Sequence, residues 1–153
     1  MDFGPYHVKN VRSWVGRSGY GFSATLYNEK EKIALLTNEG RGGATFIEEI
    51  SPIEKDNLTS FVDNIPLIDA SELGLPSSGE TKVGLEMFLG ALIDQWETNK
   101  RIKRKVKTHT LFRLREDPPT TYRTMRIPFS EHVRQMILTK HGESVTEIIN
   151  DRF

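Results

Sequence analysis

The sequence predicts an α+β fold: an N-terminal antiparallel β-meander and a C-terminal β-hairpin packed on one long helix, with three shorter helices. Three observations carry this. Period-2 apolar alternation fills residues 7–50, an apolar stripe of spacing 3 and 4 runs through 82–106, and alternation returns after 108. At 153 residues, 37% of them apolar, the chain is long enough to bury a core without staples. We read 1–153 as a single domain. A division into lobes 1–65 and 82–153, joined by a connector at 66–81, is the alternative.

The meander comes first. Tyr20, Phe22, Ala24 and Leu26 alternate with Gly21, Ser23, Thr25 and Tyr27, the pattern of a half-buried strand. Val8–Val15 precedes it, and Gly16-Arg17-Ser18-Gly19 between them suits a hairpin turn. Lys32–Thr37 gives a third strand. Asn38–Gly43 is a loop with three glycines, followed by a short apolar stretch at Ala44–Ile50. Alternation places Trp14 in the core. Because it shares its face with Asn10 and Arg12, stacking or partner binding is the other role open to it.

Ser51-Pro52-Ile53-Glu54 opens a helix over 52–64, with Ser51 as cap, Pro52 at the first helical position and Glu54 completing a capping box. Leu58, Phe61, Val62 and Ile65 share its face, and Pro66 ends it. Within 82–106, Leu85, Phe88, Leu89, Leu92 and Trp96 form the stripe, which Ile102 and Val106 prolong. Thr108–Arg115 is a strand, Glu116-Asp117-Pro118-Pro119 a turn, and Thr121–Ile127 the returning strand. Ser130 caps a helix over 130–141 that Gly142 stops. Ser144 with Glu147 forms a second capping box, predicting a last helix over 144–150.

Charge is the feature that bears on function. The formal net charge is zero, yet residues 1–99 hold 8 Lys/Arg against 15 Asp/Glu, and residues 100–153 hold 13 against 6. Six of the eight residues from Lys100 to Lys107 are basic: Lys100, Arg101, Lys103, Arg104, Lys105 and Lys107. Arg113, Arg115, Arg123 and Arg126 follow, with Tyr122 among them. Cations interleaved with an aromatic suit phosphates and a stacked base. The expectation is therefore a non-catalytic binding protein for an anionic partner, nucleic acid or a nucleotide, through residues 100–126. The plain alternatives are a solvated helix end complementing the helix dipole, or docking of the run onto the acidic front part. A protein-interaction module, an inhibitor or adaptor steered by opposed charges, is the second functional reading, and a small hydrolase the third.

Other chemistry finds little support. With no cysteine, disulfides, thiolate metal sites and a cysteine nucleophile are excluded. His7, His109, His132 and His141 lack metal-ligand spacing, and no trio of acids marks a nuclease. No cofactor, metal or catalytic residue is expected. The two glycine loops lack the Gly-Lys-Ser/Thr of a phosphate-binding loop and read as turns. No run of 18 apolar residues occurs, and Met1–Tyr6 lacks the features of a signal peptide. No membrane partner and a cytoplasmic location are expected.

Overall fold

A computed structural model of the chain describes residues 1–73, 79–118 and 120–153. Residues 74–78 of the expected connector and Pro119 of the expected turn lie outside the described residues. The fold is α+β, with three separate antiparallel sheets and three α-helices among the described residues. It forms two compact units, Met1–Trp96 and Glu97–Phe153.

In the first unit β1 (Tyr6–Gly16), β2 (Gly19–Asn28), β3 (Glu31–Asn38) and β4 (Phe46–Glu48) form a sheet in sequential order. Its inner face presents Tyr6, Val8, Phe22, Ala24, Leu26 and Leu36. Helix α1 (Pro52–Asp63) brings Leu58 and Val62 to this core. The start of α2 (Leu85–Lys105) brings Phe88, Leu89, Leu92 and Ile93. Tyr6, Phe61 and Phe88 meet edge-on, with ring centroids 5.2–6.1 Å apart, the geometry favoured by the ring quadrupole. Trp96 packs half-buried at the edge of the core. Ser51 Oγ accepts the Glu54 N–H at 3.2 Å, as a cap should. The Glu54 carboxylate also accepts Asn28 Nδ2 at 3.3 Å and ties α1 to the end of β2. The connector contains a two-residue ladder, β5 (Ile68–Asp69) with β6 (Glu80–Thr81), and a 3₁₀ turn over Ala70–Leu73.

Trp14 is not in the core. It is 41% exposed, and the cause is a β-bulge. Asn10 adopts φ +54° and the β1–β2 register slips between Lys9 and Arg12. The extra residue reverses the alternation beyond it. Val11 is therefore buried with Tyr6 and Val8, and Trp14 turns outward. There it faces Gly21 across the strand pair, and its indole lies where a Cβ on Gly21 would stand.

In the second unit β7 (Thr110–Leu114) runs between β8 (Arg123–Met125) and β9 (Val145–Ile148). The helix expected over 144–150 is therefore absent. Gly142–Ser144 is a 3₁₀ turn, residues 145–148 are a strand paired with β7, and Ile149–Arg152 is another 3₁₀ turn. The reason lies in β7, which is buried on both faces. Phe112 and Leu114 join Val133 and Ile137 of α3 (Glu131–His141), while Leu111 joins Ile102 and Ile149. Such a strand leaves a second edge to pair, and Ile148 opposite Phe112 supplies the partner. Among the described residues there are thus two shorter α-helices rather than three. The long helix spans Leu85–Lys105 rather than 82–106, and the C-terminal hairpin is part of a three-stranded sheet. Nor does α2 serve one central core: its start closes the first unit's core, while Ile102 belongs to a cluster of the second.

Candidate anion-binding surface

The basic run occupies the last turns of α2 and the turn that follows. Ile102 is buried against Leu111 and Ile149, with Val106 half-buried beside it. This anchor fixes which side chains face water: Lys100, Arg101, Lys103, Arg104 and Lys107 are exposed, and Lys105 is half-buried. Lys105 Nζ stands 5.4 Å from the centroid of the Tyr122 ring, a cation–π distance. Tyr122 itself packs half-buried on the Ile102–Leu111–Ile149 cluster.

The turn leaving the helix is held by a residue that sequence reasoning missed. Asn150 is buried, accepts the Leu111 N–H at 2.7 Å, and donates Nδ2 to the Val106 and His109 carbonyls at 3.3 and 2.9 Å. The Lys105 carbonyl takes the backbone N–H groups of Thr108 and His109 at 3.1 and 3.0 Å. The end of the basic helix is thus tied to a segment about 40 residues further along the chain. No local pattern around Asn150 announces this, because all its partners are distant in sequence.

The arginines on the sheet are placed differently. Arg113 donates to the Thr121 carbonyl (3.0 Å) and pairs with Glu147 (3.4 Å). Arg115 donates to the Glu143 carbonyl at 3.2 Å. Arg123 grips Asp117 at 3.0 Å and Glu116 at 2.9 Å. Asp117 also accepts the Leu114 N–H at 2.9 Å. Its hydrogen bonds from Arg123 and from that amide hold its carboxyl below the usual range, and the carboxylate in turn raises Arg123. Arg134 makes a two-point contact with Asp151 and a third with Glu131, and Asp151 raises it. Arg152 pairs with Glu147. Arg126 is exposed, one residue beyond the Thr110–Met125 pair and so beside the turn after α2.

A division results. Five of the six acids in residues 100–153, namely Glu116, Asp117, Glu131, Glu147 and Asp151, are paired with arginines of the sheet, α3 and the C-terminus. Among the described residues, Arg101, Lys103, Arg104, Lys107 and Arg126 form no ion pair.

Among the described residues no group of three or more His, Asp or Glu is placed to hold a metal ion, and no helix is long and apolar enough to cross a membrane. No protein-family model, no curated protein and no solved structure matches this chain.

Proposed function

We propose that the protein is a non-catalytic binding protein for nucleic acid, engaged by the exposed end of α2 and the turn after it. Arg101, Lys103, Arg104 and Lys107 neutralise phosphates, with Lys100 and Arg126 beside them. The observation that carries this reading is the absence of counter-charge. Glu116, Asp117, Glu131, Glu147 and Asp151 sit on Arg113, Arg123, Arg134 and Arg152, while among the described residues Arg101, Lys103, Arg104 and Lys107 form no ion pair. Helix-dipole complementarity accounts for cations in the last turn, Lys103–Lys105, but not for Arg101, Lys107 or Arg126. Several separate cations suit several phosphates, and so a polymer rather than a mononucleotide. Arg113, Arg115 and Arg123, engaged internally, shape the sheet more than they contact the ligand. Tyr122 offers a base only the part of its ring that the cluster and Lys105 leave open.

The test is a neutralised variant, Arg101→Gln, Lys103→Gln, Arg104→Gln and Lys107→Gln, against a control that removes two exposed lysines of the first unit, Lys30→Gln and Lys55→Gln. Wild type and control should be retained on heparin and shift DNA or RNA at about 50 mM salt, where the phosphate term is strong. The fourfold variant should do neither while melting close to wild type. Equal behaviour of the two variants refutes the reading.

A further inference from the structure

The four-stranded sheet of the first unit has an outer face that its core does not use. Val8, Phe22, Ala24, Leu26, Ala34 and Leu36 are buried in the core shared with α1 and α2. Alternation sends their neighbours along each strand to the other face. Register across the strands sets these in rows: His7 with Tyr27; Lys9 with Thr25, Leu35 and Glu48; Arg12 with Ser23, Thr37 and Phe46; Trp14 with Gly21. The bulge at Asn10 is what puts Arg12 and Trp14 there. Without its extra residue both would turn to the core side.

This face carries cations and aromatic rings. Lys9 and Arg12 are exposed and, among the described residues, form no ion pair. Residues 3–28 contain no acid, although residues 1–96 hold 14 Asp/Glu against 8 Lys/Arg. Two nearby acids are engaged: Lys32 holds Glu49 at 2.9 Å, and Arg41 holds Glu39 at 3.6 Å at the hairpin end. Glu48 stands on β4, across the whole sheet from Lys9. Trp14 is 41% and Phe46 61% exposed, on opposite edge strands. Three strand spacings separate those strands, about 14 Å. His7 and Lys9 already occupy the Tyr27 ring, at 5.3 and 4.6 Å from its centroid. The Trp14 end of the hairpin is braced. The Ser18 N–H donates to the Gly40 carbonyl at 3.0 Å, and Gly16 meets Gly40 so closely that neither has room for a Cβ. This contact brings together the two glycine loops that look unrelated in sequence.

We propose that this outer face binds a single strand of nucleic acid, with bases stacked on Trp14 and Phe46 and phosphates on Lys9 and Arg12. Aromatic rings set among cations are what an unpaired strand needs, since every base has a π-face and every link a charge. Charge complementarity favours an anion on the acid-free hairpin, and Glu48 confines the phosphates to the β1 side. The Ser23 and Thr37 hydroxyls lie in the row between Arg12 and Phe46, where they suit base edges better than apolar side chains of an acidic peptide. A duplex hides its base faces, and a mononucleotide cannot reach both rings. Shielding of Gly21 accounts for the indole lying over that glycine. It does not account for Phe46 or for the unpaired cations. Bracing of the hairpin lowers the ordering cost of binding. The inference does not depend on the α2 surface, because this face has its own cations and rings.

Trp14 emission in a Trp96→Phe background tests this, because two phosphate contacts hold a strand too weakly for a gel shift or for retention on heparin. An oligothymidine octamer should quench the emission, while an abasic octamer and a hairpin duplex should not. The affinity should fall with salt at a log–log slope of about 1.4, from two phosphates at about 0.7 each. Phe46→Ala should weaken binding roughly 5- to 150-fold, and Phe46→Tyr should preserve it. Phe46→Leu, which keeps an apolar side chain, replaces the alanine variant if that one misfolds. Lys9→Gln with Arg12→Gln should flatten the salt dependence. The fourfold α2 neutralisation should leave the quenching intact, so the two surfaces can fail separately. The proposal is overturned if the octamer leaves Trp14 unmoved, or if the abasic strand or the duplex quenches equally. It is equally overturned if binding survives loss of the Phe46 ring, if quenching disappears with the α2 charges, or if acidic peptides move Trp14 where the octamer does not.

Discussion

Replacing Asn150 with alanine tests the geometry on which the basic surface depends. The side chain is 8% exposed and makes three hydrogen bonds, one from the Leu111 N–H and two to the Val106 and His109 carbonyls. Leu111 is fully buried, so its N–H would lose its partner with no water to replace it, at a cost of about 1–3 kcal/mol. The two carbonyls lie in partly buried surroundings and would each forfeit a net contribution of about 0.5–1.5 kcal/mol. Allowing for non-additivity, we expect Asn150→Ala to destabilise the second unit by about 2–4 kcal/mol, a large share of the roughly 5–15 kcal/mol that holds most domains together. Both tryptophans lie in the first unit, so their fluorescence would miss the change. Amide exchange at Leu111 reads it directly and should accelerate by roughly 30- to 700-fold. Asn150→Asp should separate geometry from bulk. Its carboxylate still accepts from Leu111 but faces two carbonyls, so this variant should regain stability as pH falls and the acid acquires a proton to donate. An unchanged Leu111 exchange rate in Asn150→Ala would refute the assignment of Asn150 as the staple of this turn.

Three further outcomes follow. Leu89 is fully buried in the first unit, so Leu89→Ala should cost about 2–5 kcal/mol in urea denaturation followed by tryptophan emission. A wild-type midpoint would mean that α2 does not close that core. Gly40 holds φ +70°, and a Cβ there would stand 2.7 Å from the Gly21 nitrogen. Gly40→Ala should lower the melting temperature and loosen amide protection around Ser18, whereas unaltered protection would show that the loop contact does not brace the hairpin. Asp117 and Asp69 are both held below the ordinary carboxylate range by hydrogen bonds, from Arg123 and the Leu114 amide and from Ser71 respectively. Their folded-state values lie below the unfolded ones, so their stabilisation is present above about pH 4 and is lost as pH falls through the depressed values. Asp117→Asn should flatten the acid limb of the stability profile, and an unchanged limb would contradict this.

Much of the fold is legible in the sequence, because local signals agree with tertiary demands there. Ser51-Pro52 and Ser130 cap the helices they were expected to cap, and the Phe22–Ala24–Leu26 alternation faces the core. Failures come where a distant partner decides. Ser144 and Glu147 satisfy a capping pattern, yet the open edge of β7 draws Val145–Ile148 into a strand. One bulge residue, Asn10, inverts the alternation beyond it and moves Trp14 outward. Of the candidate surface, the sequence reveals the density of positive charge but not its allocation. Only the fold distinguishes Arg123, clamped on Asp117, from Arg104, which has no such partner. Asn150 leaves no trace in the sequence because each of its partners lies about 40 residues away.

The central claim is that uncompensated charge at the end of α2 engages several phosphates, and the salt dependence of nucleic-acid affinity tests it most directly. Binding should weaken linearly on a log–log plot. Each phosphate contact should contribute about 0.9 to the slope for duplex DNA and about 0.7 for a single strand. Neutralising Arg101, Lys103, Arg104 and Lys107 together should reduce the slope by about 3–4 for duplex DNA. A wild-type affinity independent of salt, or a slope unchanged in the fourfold variant, would contradict the account.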